Sequence, residues 1–330
     1  MLGSAQTLRI ATFNADLARA GPGVLLRDIL KDKDPQIDAV VQVITTVNPD
    51  IIALQGIDYD LGLAALGALR NRIAQSGPTY PYIFALRPNT GMPTGLDMDG
   101  DGRFGRPRDA QGYGLFSGEG GMAILSRYPI GVEGVQDFSN LLWRDLPDAL
   151  LPSVDGKPFP SLNAQNAQRL STTGHWVVPI SLPNDRALKL LTYHASPPVF
   201  DGPEDRNGKR NHDETRFWSL YLDGVFGPAP DKDFIILGDV NLDLKRSQGL
   251  TSALETLLAD TRLQDPMPRS NEGSATVDWP APGPGKLRVD YVLPAANLAV
   301  TSSAVHWPEN DETARMASRH RLVWVDIALR

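Results

Sequence analysis

The 330-residue sequence contains no cysteine, which excludes disulfide bonds, thiol nucleophiles and thiolate metal ligands. No apolar run approaches the length of a membrane span, so we expect no stable membrane insertion. An excess of positive charge is also absent. The formal net charge of −7 disfavours a general nucleic-acid coat, although it does not exclude a local basic groove. Hydrophobic residues make up 42% of the chain and charged residues 22%, as is usual for a folded domain.

The N-terminus lacks the basic and apolar segment of a secretory signal. Gly3-Ser4 is typical of a cloning remnant, so we expect residues 1–7 to be flexible or foreign to the natural chain. A signal removed upstream would favour a periplasmic or secreted protein, and a cytoplasmic location is the alternative. An uninterrupted cytosolic start in the full-length gene would refute the secreted assignment.

Short apolar runs alternate with helical patterns, without an internal repeat or a low-complexity linker. Several predicted strands follow each other directly. A purely parallel sheet would not give this order, whereas a sandwich of mixed β-sheets with outer helices does. We therefore expect an α/β (α+β) fold that forms one domain over residues 1–330, in a monomeric protein. The predicted strands lie at 8–13, 50–54, 82–86, 122–125, 174–182, 188–193, 234–237, 287–293, 298–305 and 322–327.

Helical patterns begin at Pro35, after an Asp34 N-cap, and cover 61–75, 216–225 and 252–259. Three long stretches have no regular pattern, at 87–120, 139–170 and 196–212. Loops of this length in a compact domain are usually functional.

Four of the apolar strands end in polar residues. The first ends at Asn14, the second at Gln55 and another at His194, while Asp239 and Asn241 follow the strand at 234–237. Each of these residues alone could cap a turn or sit hydrogen-bonded in the core. Ligands of α/β sheets bind beyond the carboxyl ends of the strands, so together they predict one site there.

Asp290 and His320 add a carboxylate and an imidazole near the C-terminus. The ordered series T-F-N, L-Q, G-G-M-A-I-L-S-R-Y-P-I, Y-H, G-D-V-N, R-V-D-Y and S-R-H resembles the endonuclease/exonuclease/phosphatase superfamily, from about residue 8 to the C-terminus. The resemblance implies the four-layer DNase I-like fold, in which two packed mixed β-sheets are flanked by helices. It also implies a phosphoesterase assisted by a divalent metal, Mg²⁺ or Mn²⁺, in which water attacks a phosphate ester in line.

The resemblance also implies roles for individual residues. His320 is similar to the catalytic histidine, and Asp290 to the carboxylate that orients it and supports its positive charge. Asp239 and Asn241 are similar to the pair that aligns the nucleophile and contacts phosphate. His194 resembles the phosphate-facing histidine, and Asn14 resembles the first-strand residue beside the metal.

Two positions depart from the family's pattern. Its Q-E motif, whose Glu is the main metal ligand, is Gln55-Gly56 in this chain, and its S-D-H motif is Ser318-Arg319-His320. Three interpretations follow. The metal could use a substitute ligand, of which Asp58 is the nearest and Asp16 and Asp60 are others; Arg319 could clamp phosphate beside Gln55; or catalysis could be lost.

Residues 97–102 read D-M-D-G-D-G, the start of a calcium-binding loop, with carboxylates at Asp97, Asp99 and Asp101. The bidentate Glu expected at position 12 is replaced by Arg108, and Asp109 follows. We expect Ca²⁺ to order the 97–109 loop, against the alternative of a solvated acidic turn.

Basic residues in the loops would meet an anionic substrate first, and we expect phosphate contacts from Arg216 and His212. The acidic composition favours a small-molecule or lipid head-group ester over bulk DNA as the substrate. The leading function is therefore a phosphate mono- or diesterase. The alternatives are a nuclease and a catalytically impaired protein that binds phosphate or calcium on the same scaffold.

Overall fold

The computed structural model describes residues 6–183, 185–308 and 312–329. The strands are β1 Gln6–Asn14, β2 Ile51–Ile57, β3 Tyr82–Phe84, β4 Gly121–Ser126, β5 Gln136–Asp137, β6 Ser153–Val154, β7 Lys157–Pro158, β8 His175–Leu182, β9 Arg186–His194, β10 Phe234–Asp239, β11 Val277–Trp279, β12 Gly285–Leu287, β13 Asp290–Pro294, β14 Val300–Val305 and β15 Val323–Leu329. The helices are α1 Val24–Lys31, α2 Pro35–Val47, α3 Ala64–Ala74, α4 Leu162–Ala167, α5 Arg206–Leu222, α6 Ser252–Ala259 and α7 Glu312–Ala317.

Two large sheets form the centre of the molecule. The first has the strand order β14-β15-β1-β2-β4-β3 and the second β13-β10-β9-β8-β5. Both combine parallel and antiparallel pairs, since β1 is parallel to β2 but antiparallel to β15. The first and last described strands, β1 and β15, lie side by side in the first sheet.

The alternation of side chains along β1 and β2 explains the layering. Leu8 and Ile10 of β1 face the core between the two sheets, whereas Ala11 and Phe13 face the helices on the other side. Helices α1, α2 and α3 cover the first sheet, and α5 and α6 cover the second. The result is the predicted four-layer arrangement of two mixed sheets between helices.

The register brings polar strand ends together. In the second sheet Asp239 pairs with His194 on β9 and with Asp290 on β13, so three polar residues lie in one row. In the first sheet Asn14 pairs with Gln55. Strands β1 and β10 contact each other across the sandwich, so the two rows face one another.

Helix α5 differs from the sequence prediction. We expected a loop over 196–212 and a helix only from 216, but α5 begins at Arg206. Its first half contains the polar residues Arg210, Asn211 and Glu214, which are buried and hydrogen-bonded to loop backbone. The first half of α5 therefore lacks the apolar periodicity from which a helix would be predicted.

Other boundaries differ less. The strand expected at 287–293 is divided into β12 and β13, and α1, α4 and α7 were not anticipated. The N-cap of α2 is confirmed, because Asp34 Oδ1 accepts hydrogen bonds from the backbone N–H groups of Gln36 and Ile37. Residues 1–5 lie outside the described residues, and β1 already includes Gln6 and Thr7. None of the helices in the described ranges has the length and apolar character that a membrane crossing requires.

Candidate active site

Asp239 is the centre of the candidate site. It ends β10 and is fully buried. Its Oδ2 accepts a hydrogen bond from Asn14 Nδ2 at 2.9 Å and lies 3.4 Å from His194 Nε2 and 3.8 Å from His320 Nε2. Its Oδ1 accepts the backbone N–H of Asn241 at 2.9 Å. One carboxylate therefore collects four of the residues that the sequence assigned to the site.

His320 is held by Asp290. The Nδ1 atom of the imidazole lies 3.0 Å from Asp290 Oδ2 and 3.2 Å from Oδ1, which leaves Nε2 directed towards Asp239. The Trp279 ring packs edge-on against the imidazole, with 5.6 Å between centroids. The Thr276 hydroxyl accepts the backbone N–H of Asp290 at 3.0 Å. Ring and carboxylate are thus fixed before any substrate binds.

The pKa values of His320 and His194 are shifted in opposite directions. Burial opposes protonation of His320, but the carboxylates of Asp290 and Asp239 outweigh it and raise the pKa of this imidazole above its ordinary value. Burial dominates at His194 and lowers its pKa, despite the attraction of Asp239. At neutral pH the site therefore pairs a cationic His320 with a neutral His194.

The S-R-H segment is fastened to β1. The Ser318 hydroxyl donates a hydrogen bond to the carbonyl of Asn14 at 2.7 Å and accepts the backbone N–H of His320 at 3.0 Å. On the other side, Asn241 Nδ2 donates to the carbonyl of Ala195 at 2.9 Å, directly after β9. These contacts position Asn14, His320 and Asn241 around Asp239.

Gln55 and Gly56 differ from what a metal site at the end of β2 requires. Gln55 is buried, and its Oε1 accepts the hydroxyl of Thr12 at 3.1 Å, so its carbonyl faces the interior. Gly56 has a φ of +69°, and a Cβ at this position would lie 2.5 Å from Asn14 Oδ1. The Asn14 side chain therefore occupies the space that a carboxylate at position 56 would need.

Asp58 is not directed into the site. The register of β2 against β4 shifts between Gln55 and Ile57, and this breaks the alternation on which the substitute-ligand prediction depended. The Asp58 carboxylate instead accepts the backbone N–H groups of Arg19 at 3.0 Å and Gly120 at 2.9 Å. Burial raises its pKa to about 6. Asp58 thus joins two loops, and Asp60 caps the start of α3 through the N–H groups of Ala64 and Ala65.

Two acidic groups in the described part of the chain bring ligand atoms within 4.8 Å of one another. The group at the centre is Asp239, Asp290 and His320, whose atoms already contact each other and Asn14. The residues present therefore do not fit the divalent cation that the family resemblance implies at the end of β2. The candidate metal groups are elsewhere, at this centre and in the acidic loop.

Arg319 lies at the mouth of the site, paired with Asp16. Its Nε donates to Asp16 Oδ2 at 2.9 Å and its Nη2 to Asp16 Oδ1 at 3.2 Å. The sequence placed a cation here but not its partner. Asp16 follows Asn14 by two residues, and this spacing is the only sequence signal that points to it.

The expected phosphate contacts from α5 are not at the site. Arg216 Nη1 donates to the carbonyl of Pro147 at 2.6 Å, and so holds the loop at 147–148. His212 lies between Asp213 Oδ1 at 2.9 Å and Ser252 Oγ at 3.1 Å. Arg216 therefore holds a neighbouring loop, whereas His212 joins α5 to the start of α6.

The acidic loop has a different ligand group from the one the motif suggested. Asp97 and Asp99 approach the buried Asp109, whereas Asp101 is outside the group. The Asp101 carboxylate accepts the backbone N–H of Arg103 at 2.8 Å. Burial, followed by the charges of neighbouring carboxylates, raises the pKa of Asp99. Asp109 directly follows Arg108, which stands at position 12 of the calcium-loop motif.

Comparisons with known proteins identify the family and the fold that this chain shares. A sequence model of the endonuclease/exonuclease/phosphatase family matches residues 11–320. A family protein from Beutenbergia cavernae DSM 12333 is 17% identical with a TM-score of 0.58, covering 98% of this chain and 72% of its own. Sphingomyelinase C from Streptomyces griseocarneus is 16% identical with a TM-score of 0.53, covering 98% and 100%.

A third structure, TDP2 from Caenorhabditis elegans, is 15% identical with a TM-score of 0.53, over 98% of this chain and 75% of that one. No curated protein matches the sequence. At these identities the structures establish the fold, and the match over residues 11–320 establishes the family. The chain therefore belongs to the endonuclease/exonuclease/phosphatase family.

Proposed function

We propose that the protein hydrolyses phosphate esters at the site centred on Asp239. The observation that carries this proposal is the geometry of His320, whose Nδ1 is held by Asp290 while Nε2 faces Asp239. A histidine oriented by a carboxylate, with its second nitrogen free to reach a water molecule, is the arrangement of a general base. Relatives named as a sphingomyelinase and a TDP2 share the fold and support phosphate-ester chemistry.

In the proposed reaction one water molecule hydrogen-bonds to both His320 Nε2 and Asp239 Oδ2, which lie 3.8 Å apart. The water oxygen forms a bond to phosphorus while the bond from phosphorus to the leaving oxygen breaks. The proton of the water moves to Nε2 of neutral His320, and the leaving oxygen takes a proton from solvent. Asp290 stabilises the imidazolium that forms, because its carboxylate accepts the hydrogen bond from Nδ1.

Hydrogen-bond donors around Asp239 would stabilise the negative charge that develops on the phosphoryl oxygens. His194 is neutral, and its Nδ1 is buried without a hydrogen-bond partner among the described residues. The proton of this imidazole therefore belongs on Nε2, where it faces Asp239 and the substrate position. Asn14 Nδ2 and the backbone N–H of Asn241 donate to the Asp239 carboxylate beside it.

Mg²⁺ or Mn²⁺ is the cofactor that the family resemblance leads us to expect. At the centre such a cation would have to use Asp239, Asp290 and His320, whose polar atoms already contact one another. We therefore assign no step of the reaction to a divalent cation.

A small phosphodiester or a lipid head group is the proposed substrate class, in preference to bulk DNA. The net charge of −7 weakens attraction to a long polyanion. We expect turnover of bis(p-nitrophenyl) phosphate or a choline phosphodiester to exceed both nicking of supercoiled plasmid and hydrolysis of p-nitrophenyl phosphate. The measurement is product release with chelator and with Mg²⁺, Mn²⁺ or Ca²⁺. Equal inertness of the wild type and His320→Ala on every substrate would leave a phosphate-binding protein as the alternative.

The acidic loop supports a separate proposal, that Asp97, Asp99 and Asp109 bind Ca²⁺. We expect millimolar Ca²⁺ to raise the Tm of the wild type and to have a much smaller effect on Asp99→Asn, because carboxylates are the preferred ligands. Asp155→Asn, in an exposed turn, is the matched control. Differential scanning fluorimetry makes the comparison, and an equal shift in all three proteins would contradict calcium binding at this loop.

A further inference from the structure

We propose that Arg319 contacts the phosphoryl oxygens of the substrate in place of a divalent cation, and that Asp16 holds its guanidinium until the substrate arrives. This inference rests on the proposed phosphate-ester hydrolysis and specifies how the site binds its anion. It predicts that hydrolysis proceeds after chelation and depends on Arg319.

The first observation concerns the end of β2. A carboxylate at position 56 would require a Cβ only 2.5 Å from Asn14 Oδ1 and 3.0 Å from the backbone nitrogen of Asp16. The φ of +69° at Gly56 also disfavours any residue with a side chain. Asn14 in turn donates to Asp239, so its position belongs to the catalytic centre itself. The backbone and Asn14 are arranged for a site without that ligand.

The second observation concerns the position of Arg319 itself. Its neighbour Ser318 is bonded to β1, and its own carbonyl accepts the backbone N–H of Asp278 at 3.0 Å. The next residue is His320. The main chain at Arg319 is therefore fixed beside the catalytic imidazole, while its side chain is 59% exposed and hydrogen-bonded to Asp16.

The third observation is the location of Asp16. Its backbone N–H donates to Asn14 Oδ1 at 3.2 Å, and Asn14 Nδ2 donates to Asp239 Oδ2 at 2.9 Å, so Asp16 lies beside the catalytic centre. The Arg319 guanidinium, which is hydrogen-bonded to Asp16, therefore lies beside the same site. Its two bonds, through Nε and Nη2, form a fork that matches two oxygens of a phosphate as well as those of a carboxylate.

The Arg319–Asp16 ion pair can readily exchange its carboxylate for a phosphate. An exposed ion pair contributes little to stability, so a phosphate can displace the Asp16 carboxylate at small cost. The charges also require a cation. Asp239, Asp290 and Asp16 place three carboxylates around the site, and an anionic substrate would be repelled without the guanidinium of Arg319.

The test compares Arg319→Gln with the wild type, both treated with EDTA and assayed on bis(p-nitrophenyl) phosphate with and without added Mg²⁺. We expect the wild type to retain its activity after chelation and Arg319→Gln to lose about 100-fold in kcat/KM in either condition. Arg319→Lys should recover part of the loss, since it restores the charge but not the fork. Arg27→Gln is the matched control, because Arg27 is also an arginine paired with an aspartate and has a 56% exposed side chain.

Binding of inorganic phosphate, measured by isothermal titration calorimetry, provides a readout that does not need turnover. We expect Arg319→Gln to weaken phosphate binding at least tenfold and Asp16→Asn to strengthen it several-fold, because it releases the guanidinium. Activity that is abolished by EDTA, restored by Mg²⁺ and unaffected by Arg319→Gln would overturn the inference while leaving the hydrolase intact. If the wild type hydrolyses nothing, the proposed function fails, and unchanged phosphate binding in Arg319→Gln would overturn the role of Arg319 as well.

Discussion

Replacing His320 with glutamine is expected to lower kcat/KM for a phosphodiester by about 1,000-fold, within the range for loss of a positioned general base. Glutamine keeps a polar side chain of similar length but cannot take the proton of the attacking water. The substitution also removes the cation that faces Asp239 and Asp290. The measurement is steady-state kinetics on protein whose folding is verified by circular dichroism.

The pH dependence sharpens this prediction. Burial lowers the pKa of His320 but the carboxylates of Asp290 and Asp239 raise it more, so the neutral base becomes populated only as pH rises above the ordinary value of 6.5. We therefore expect wild-type kcat/KM to increase with pH through the raised pKa, and His320→Gln to lose this limb. The same shift stabilises the fold fully below pH 6.5, and this contribution is lost as pH rises through the folded-state pKa.

His212→Gln serves as the histidine control, since His212 hydrogen-bonds to Asp213 and Ser252 and to no residue of the site. It should retain both the activity and the alkaline limb. Retention of most of the activity by His320→Gln would show that another group accepts the proton. A pH profile unchanged by the substitution would have the same meaning.

Replacing Asp239 with asparagine is expected to have the second largest effect, a loss of about 100-fold to 1,000-fold in kcat/KM. Asp239 accepts hydrogen bonds on both oxygens, from Asn14 Nδ2 and from the backbone N–H of Asn241. An amide has one oxygen, so one of these donors loses its acceptor inside a buried site. The charge that supports protonated His320 is lost as well.

Kinetics and thermal unfolding together separate catalysis from stability in this variant. Asp326→Asn is the matched control, because Asp326 is also a buried carboxylate with two hydrogen bonds, to Arg9 near the start of β1. It should lower the Tm but leave kcat/KM per folded molecule unchanged. If Asp239→Asn shows the same pattern, then Asp239 has only a structural role.

Sequence reasoning located most of the centre because it depends on strand ends. Asn14, His194 and Asp239 each end an apolar run, and sheet register then determines that His194 and Asp239 are neighbours. Asp290 and His320 depended on the family resemblance. Their contact joins segments 30 residues apart, and no local pattern specifies it.

The errors have a common physical origin. Asp58 was expected on the site face because alternation was assumed to continue past Gln55, but the bulge at Gly56 changes the direction of the chain. Arg216 and His212 were assigned by charge alone, although Arg216 bonds to the loop at Pro147 and His212 to the start of α6. Positive φ values and tertiary hydrogen bonds decide these cases, and neither can be read from residue type.

The site draws its groups from both ends of the chain. Asn14 comes from the first strand, whereas His320 comes just before the last, and Ser318 joins the two. During synthesis, the row of His194, Asp239 and Asp290 is complete in sequence well before residue 320 leaves the ribosome. A chain truncated between Pro294 and His320 would therefore contain the whole second sheet and still lack the imidazole of the proposed general base.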